Sequence, residues 1–203
     1  MLNLQRKSDL FFEPIPSYHN DYLDVGDGHK IYYEQYGNPN GKPVLFLHGG
    51  PGAGFSNSHK GFFDPKLFRV IFFDQRGSGK SIPYAEIDNN NTNALLSDIE
   101  CLRSLLNIDQ WYLFGGSWGS TLALLYGIKY PKRCLGFVLR GIFLGSKEEV
   151  NWFLYDIKKF FPEAYDKFIS YVPLRFKNNI LEWFHEQLTA KNRSVNLKAA
   201  SIW

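Results

Sequence analysis

The chain has 203 residues, 44% of them hydrophobic and 21% charged. At this length a chain buries roughly 70% of its unfolded surface without a disulfide or metal staple, and this composition excludes a disordered tail. The formal net charge is only +3 and the basic residues are scattered, with one adjacent lysine pair at Lys158-Lys159, so no nucleic-acid-binding stripe is present.

The first 20 residues read as a loose entry containing Pro14-Ile-Pro16. Residues 1–9 have no apolar core like that of a secretory leader, and no apolar run approaches the ~18 residues of a membrane span. The expectation is a soluble, cytoplasmic protein without a membrane partner. Residues 22–25, a Gly26-Asp-Gly28 turn and residues 30–36 read as a β-hairpin. The pattern then changes to short runs that are apolar throughout, at 44–47, 70–73, 111–114 and 135–139. Such runs suit strands covered on both faces, as in a mostly parallel sheet between helices.

The gaps hold helices. Thr92 is positioned to N-cap one in which Leu95, Ile99, Leu102 and Leu106 recur at helical spacing. Residues 117–130 read as a second, stopped by Pro131. This alternation predicts an α/β fold over 1–145. Beyond Gly145 only helical stripes appear: Val150 to Phe161 as one, a second begun by Pro162, a third over 180–188, and a fourth capped by Ser194. Residues 146–203 therefore form a separate helical part. The two cysteines, Cys101 and Cys134, make neither a disulfide framework nor a zinc site, and read as buried or half-buried thiols of a reducing compartment.

Three segments carry chemistry. Gly115-Gly-Ser-Trp-Gly119 follows an apolar strand run and opens a helix, the setting of a G-x-S-x-G nucleophile elbow. The small residues let the chain turn sharply, and Ser117 is presented above the strand ends in strained geometry. His48-Gly-Gly-Pro-Gly52 follows the 44–47 run. A serine that accepts an acyl group needs N–H donors for the developing oxyanion. One comes from the residue after it, Trp118, and the other from a glycine-rich loop of this kind. His48 reads as a structural histidine packing that loop. In Asp74-Gln-Arg-Gly-Ser-Gly-Lys-Ser81, the tail imitates a phosphate-binding loop, but Asp74 stands where the first glycine is required. Asp74 and Arg76 are expected to brace loops around the elbow.

These segments resemble the proline iminopeptidase (prolyl aminopeptidase) family of α/β-hydrolase serine peptidases. So do Asp88-Asn-Asn90, Asp98-Ile-Glu100, Asp109-Gln-Trp111 and Leu139-Arg-Gly-Ile-Phe143, and the similarity runs on from about Pro14. The resemblance implies an α/β-hydrolase fold with a helical cap, Ser117 as nucleophile, and an oxyanion hole made by the N–H groups of Gly50 and Trp118. It implies release of an N-terminal proline from small peptides, with no cofactor and no metal. It assigns no substrate-binding residue, and oligomeric state has no sequence signal.

In the family, the triad aspartate and histidine follow two later strands. This sequence ends before either, and Ala200-Ser-Ile-Trp203 aligns with only part of a cap segment that holds the substrate amine. The resemblance thus implies an N-terminal fragment, inactive alone, with the C-terminal part of the fold missing. Asp156 or Asp166 with His185 has the right chain order but lies in helical stripes rather than after strands. His19, His29 and His59 precede the serine and receive no catalytic role. Another α/β-hydrolase esterase, or a non-catalytic interaction protein, is the alternative. A serine rather than an aspartate at the elbow speaks against epoxide or haloalkane chemistry.

Overall fold

A computed structural model describes residues 11–203. Six strands form one sheet: β1 (His19–Asp24), β2 (Lys30–Gly37), β3 (Lys42–Leu47), β4 (Phe68–Phe73), β5 (Trp111–Gly116) and β6 (Cys134–Arg140), ordered β1-β2-β4-β3-β5-β6. The expected hairpin is present, with Tyr22 opposite Tyr32. The runs that are apolar throughout pair in parallel, β4 with β3, β3 with β5, and β5 with β6. The hairpin joins them antiparallel, Tyr33 facing Phe73. The sheet is therefore mixed.

From β3 the chain moves one way to β4 and then crosses back to β5 on the other side. Loops that leave the carboxyl ends of such strands diverge and open a crevice between them, where open α/β sheets bind ligands. The β3 loop carries His48-Gly-Gly-Pro-Gly52 and the β5 loop carries Ser117.

Strand alternation sends Leu45, Leu47, Ile71, Phe73 and Leu113 to one face, against α1 (Thr92–Leu105) and α2 (Trp118–Lys129). Val44, Phe46, Val70 and Phe72 go to the other, where they pack with Tyr36 and Phe63. The cap of α1 is Asn91, whose side chain accepts from Ala94 N–H, rather than Thr92, which is the first helical residue. Asparagine is the stronger N-cap. The expected helix over 117–130 is shorter by one residue at each end, because Ser117 and Tyr130 leave helical geometry.

Contacts divide the chain after Leu144 into two compact units. Among the described residues, the second holds helices and no strand: α3 (Lys147–Leu154), α4 (Pro162–Ser170), α5 (Ile180–Leu188) and α6 (Arg193–Ile202). The single stripe expected over 150–161 is broken at Tyr155, where φ −130° ends α3, and a 3-10 turn follows over Asp156–Lys159. The last helix is capped by Asn192, which accepts from Ser194 N–H, so Ser194 is inside it. Leu154, Val172, Ile180, Phe184 and Ala199 form this unit's own core, with the Phe168 and Phe184 rings stacked at 5.1 Å. Among the described residues no helix is long and apolar enough to cross a membrane. Cys134 is half-buried, but Cys101 is exposed, contrary to expectation, because it lies on the outer side of α1.

One buried charge cluster sets an acid dependence. Glu34 on β2 meets Lys60 Nζ at 2.8 Å, with about a tenth of each side chain exposed. Burial by itself would raise the Glu34 carboxyl. Hydrogen bonds from Lys60, Ser17 and Tyr32 outweigh it and hold the pKa down at about 2. A carboxylate held below its unfolded pKa stabilises the fold above about 4.5, and that stabilisation is lost as pH falls through about 2. Glu34→Gln is expected to lower the urea midpoint at pH 7 and to flatten its decline across this window. A variant whose midpoint falls with acid as steeply as the wild type would contradict the assignment.

Candidate active site

Between the last residue of β5, Gly116, and the first of α2, Trp118, stands Ser117 at φ 54°, ψ −125°. A non-glycine residue there is strained by roughly 1–3 kcal/mol. The turn is held on both sides: Ser117 N–H donates to Arg140 O of β6 at 3.1 Å, and Ser117 O accepts from Ser120 N–H at 2.8 Å. Ser117 is exposed and its side chain does not cap the helix.

The flanking glycines are required by close approach. A Cβ on Gly119 would collide with the carbonyl of Leu47 at the end of β3, and one on Gly115 with Gly119 O. Without side chains the start of α2 sits directly against the end of β3. This brings the two loops together: a Cβ on Gly49 would lie 3.2 Å from Ser117 Cβ and 3.8 Å from its Oγ. The next residue, Gly50, is exposed at φ 116°. Among the described residues, the N–H groups of Gly50 and Trp118 donate to no backbone carbonyl.

His48 is buried and both ring nitrogens are engaged. Nε2 accepts from Gln75 N–H at 3.0 Å, so the proton is on Nδ1, which donates to Gly49 O at 2.9 Å. Burial pushes the imidazole pKa below the ordinary histidine value and keeps it neutral. It is a structural histidine of the loop.

Gln75, to which sequence reading gave no role, is buried where three segments meet. Its Nε2 donates to His48 O and its Oε1 accepts from the Trp118 indole Nε1–H, each at 3.0 Å. The available signal is its place two residues after β4, at the same sheet end as His48.

Its neighbours divide the expected bracing. Asp74 accepts from Phe55 N–H at 2.9 Å and Lys80 N–H at 2.8 Å, tying the 52–55 loop to the turn after β4. Arg76 points elsewhere, to Asp98 of α1, to Asn89 O, and to Val25 O and Asp27 of the hairpin. It braces the hairpin side of the sheet rather than the elbow. The phosphate-loop imitation is occupied structurally: Ser81 Oγ donates to Asp74 O, and Lys80 Nζ lies 4.4 Å above the Tyr32 ring.

The remaining candidates have other settings. His19 Nε2 meets Tyr33 OH at 3.3 Å, His29 Nε2 meets Asp88 O at 2.9 Å, and His59 Nδ1 accepts from Ser56 N–H. Asp166 and His185 lie exposed on α4 and α5, and Asp156 pairs with Lys159 at 2.8 Å. Among the described residues, no three His, Cys, Asp or Glu side chains cluster as metal ligands would.

The chain is similar to known proteins. The chain is 48% identical over 95% of its length to the "Probable proline iminopeptidase" of Leptolyngbya boryana, covering 60% of that protein. It is 45% identical over 92% of its length to the proline iminopeptidase of Neisseria gonorrhoeae, covering 61%. The chain thus spans about 60% of the length of the curated relatives it matches. Among solved structures, a proline iminopeptidase-related protein of Thermus thermophilus is 31% identical with a TM-score of 0.53, over 60% of this chain and 43% of that one. The family model for the alpha/beta hydrolase fold matches residues 42–202. That match takes in the parallel strands and the serine-bearing turn, and the chain belongs to the α/β-hydrolase fold family.

Proposed function

We propose that Ser117 is the nucleophile of a serine peptidase that releases an N-terminal proline from small peptides. The observation that carries the reading is Ser117 itself: an exposed residue on a strained turn, beside a glycine loop, with two backbone N–H groups that donate to no backbone carbonyl among the described residues. The substrate class rests on the relatives' names and on their 45–48% identity over most of this chain.

In this mechanism Ser117 Oγ attacks the carbonyl carbon of the N-terminal residue and passes its proton to a base. The carbonyl oxygen becomes an oxyanion and accepts hydrogen bonds from Gly50 N–H and Trp118 N–H. Each such donor is worth roughly 3–4 kcal/mol at the transition state. The C–N bond then breaks, the leaving amine takes the proton, and water hydrolyses the acyl-serine by the same steps. The base is a histidine oriented by an aspartate. His48 is committed to the loop, and the other histidines of its unit have their own partners. We place this base and its aspartate in the part of the relatives' length that this chain does not span. We assign residues 146–203 the role of helical cap.

The test compares L-prolyl-p-nitroanilide, its N-acetylated form and p-nitrophenyl acetate as substrates of the intact natural protein. Expected is turnover of the first and none of the second, because an aminopeptidase requires the free imino group. Turnover of the ester alone would replace this reading with that of an esterase.

A further inference from the structure

We propose that Gln75 is a positioning residue that holds both halves of the oxyanion pocket in register. The proposal rests on the reading of Ser117 as nucleophile.

The two donors come from different loops, one after β3 and one after β5. Something must fix them relative to each other, because a misplacement of about 1 Å in a reacting geometry can cost ~10²-fold in rate. Gly50 N–H belongs to the peptide unit that also contains the Gly49 carbonyl. That unit is planar and trans, so its N–H points opposite its C=O. Gly49 O is held by His48 Nδ1–H at 2.9 Å and by Ala53 N–H at 3.3 Å. Aiming Gly50 N–H therefore depends on where His48 stands.

Gln75 places His48 twice over. Its backbone N–H donates to the ring at Nε2, and its side-chain Nε2 donates to the His48 carbonyl. The other end of the same amide, Oε1, accepts from the indole of Trp118, the residue that supplies the second donor. One planar side chain thus spans the loop carrying Gly50 and the residue carrying the other N–H. Gln75 is itself anchored: its carbonyl accepts from Ser78 Oγ at 2.7 Å and Ser78 N–H at 3.1 Å, and it is 2% exposed.

The experiment measures covalent labelling of Ser117 by a fluorophosphonate, in which Oγ displaces fluoride at phosphorus and the phosphoryl oxygen occupies the oxyanion pocket. It uses the intact natural protein and separates the maximal labelling rate from the half-saturating concentration. Gln75→Met keeps the side-chain length and removes both hydrogen bonds. It is expected to lower the maximal rate by about 10–100-fold, with half-saturation within about threefold. Trp118→Phe removes the indole donor and leaves the backbone N–H; it is expected to slow labelling by about 3–30-fold. Because the two act through one contact, the double variant is expected to label no more slowly than Gln75→Met alone within about threefold. A merely structural role would lower the melting temperature and leave the rate of the folded fraction unchanged.

Folded Gln75→Met labelling within about twofold of wild type overturns the proposal, and so do effects that multiply in the double variant. If Gln75→Met does not fold, Trp118→Phe decides, and a wild-type rate there overturns it. Wild-type protein that does not label removes the nucleophile reading and this one with it. Labelling without prolyl-p-nitroanilide turnover removes only the substrate reading.

Discussion

With Ser117 as the proposed nucleophile, Ser117→Gly in the intact natural protein is expected to abolish turnover and at the same time to raise the melting temperature. The catalytic loss follows from losing the attacking oxygen; in serine peptidases this costs on the order of 10⁶-fold in kcat, with residual catalysis from the oxyanion pocket and binding. The stability gain follows from the backbone. Ser117 stands at φ 54°, ψ −125°, where only glycine is unstrained, and its side chain makes no capping hydrogen bond that would be forfeited. Relief of roughly 1–3 kcal/mol of strain exceeds the ~0.5–1 kcal/mol of extra chain entropy that a glycine adds to the unfolded state. A net gain of about 1 kcal/mol raises the melting temperature by about 2–4 °C in a chain of this size. Ser117→Ala serves as the partner measurement. It loses the same turnover but keeps the Cβ, so its melting temperature is expected to stay at the wild-type value. A glycine variant that melts no higher than the alanine variant would show that the turn stores no strain. An alanine variant with wild-type turnover would end the nucleophile assignment.

Arg76→Met is expected to be the most destabilising single change outside the apolar core. Arg76 and Asp98 are 3% and 1% exposed and meet through two hydrogen bonds of 2.8 Å. The hydrogen-bonded Asp98 carboxylate holds the guanidinium pKa above its already high ordinary value. The same side chain donates to Asn89 O at 2.9 Å and Val25 O at 3.1 Å, so it joins the hairpin, the loop before α1 and α1 itself. Removing one partner of a buried pair leaves the other charge without compensation, at roughly 3–5 kcal/mol. A domain has only about 5–15 kcal/mol in total. Urea midpoints measure the loss. Burial pushes the Asp98 carboxyl above its ordinary value even beside Arg76, and removing the guanidinium is expected to push it further. A carboxyl raised in the folded state is relatively stabilising at low pH and penalised as pH rises, so the deficit is expected to shrink toward acid. Arg76→Met with Asp98→Leu, which removes both charges, should recover much of the loss. An unchanged midpoint for Arg76→Met would show that the pair contributes nothing.

The apolar runs at 44–47 and 70–73 name their strands because a strand covered on both faces has no polar side to alternate with. The runs at 111–114 and 135–139 are strands too, but Tyr112, Leu135, Phe137 and Val138 are exposed, so they are not covered on both faces as expected. The elbow was legible for a related reason. Gly115, Ser117 and Gly119 are close together in sequence, and the turn they make is local. The caps fall on Asn91 rather than Thr92, where asparagine is the stronger N-cap, and on Asn192 rather than Ser194, where the two residue types cap equally well and local propensity does not choose between them. The break at Tyr155 was hidden because apolar spacing continues across it while the backbone does not.

Local sequence determined the strands, the helical second part and the serine-bearing turn of this protein, since each depends on residues within a few positions of one another. Tertiary structure alone decided that β2 joins β4 antiparallel and that Arg76 faces Asp98 rather than the elbow. It alone decided that the amide of Gln75 ends on His48 and Trp118, 27 and 43 residues away in the chain. The physical reason is that a hydrogen bond depends on distance and angle in space. Sheet order sets those for residues far apart in the chain, and the order in which strands pair is a property of the packed whole.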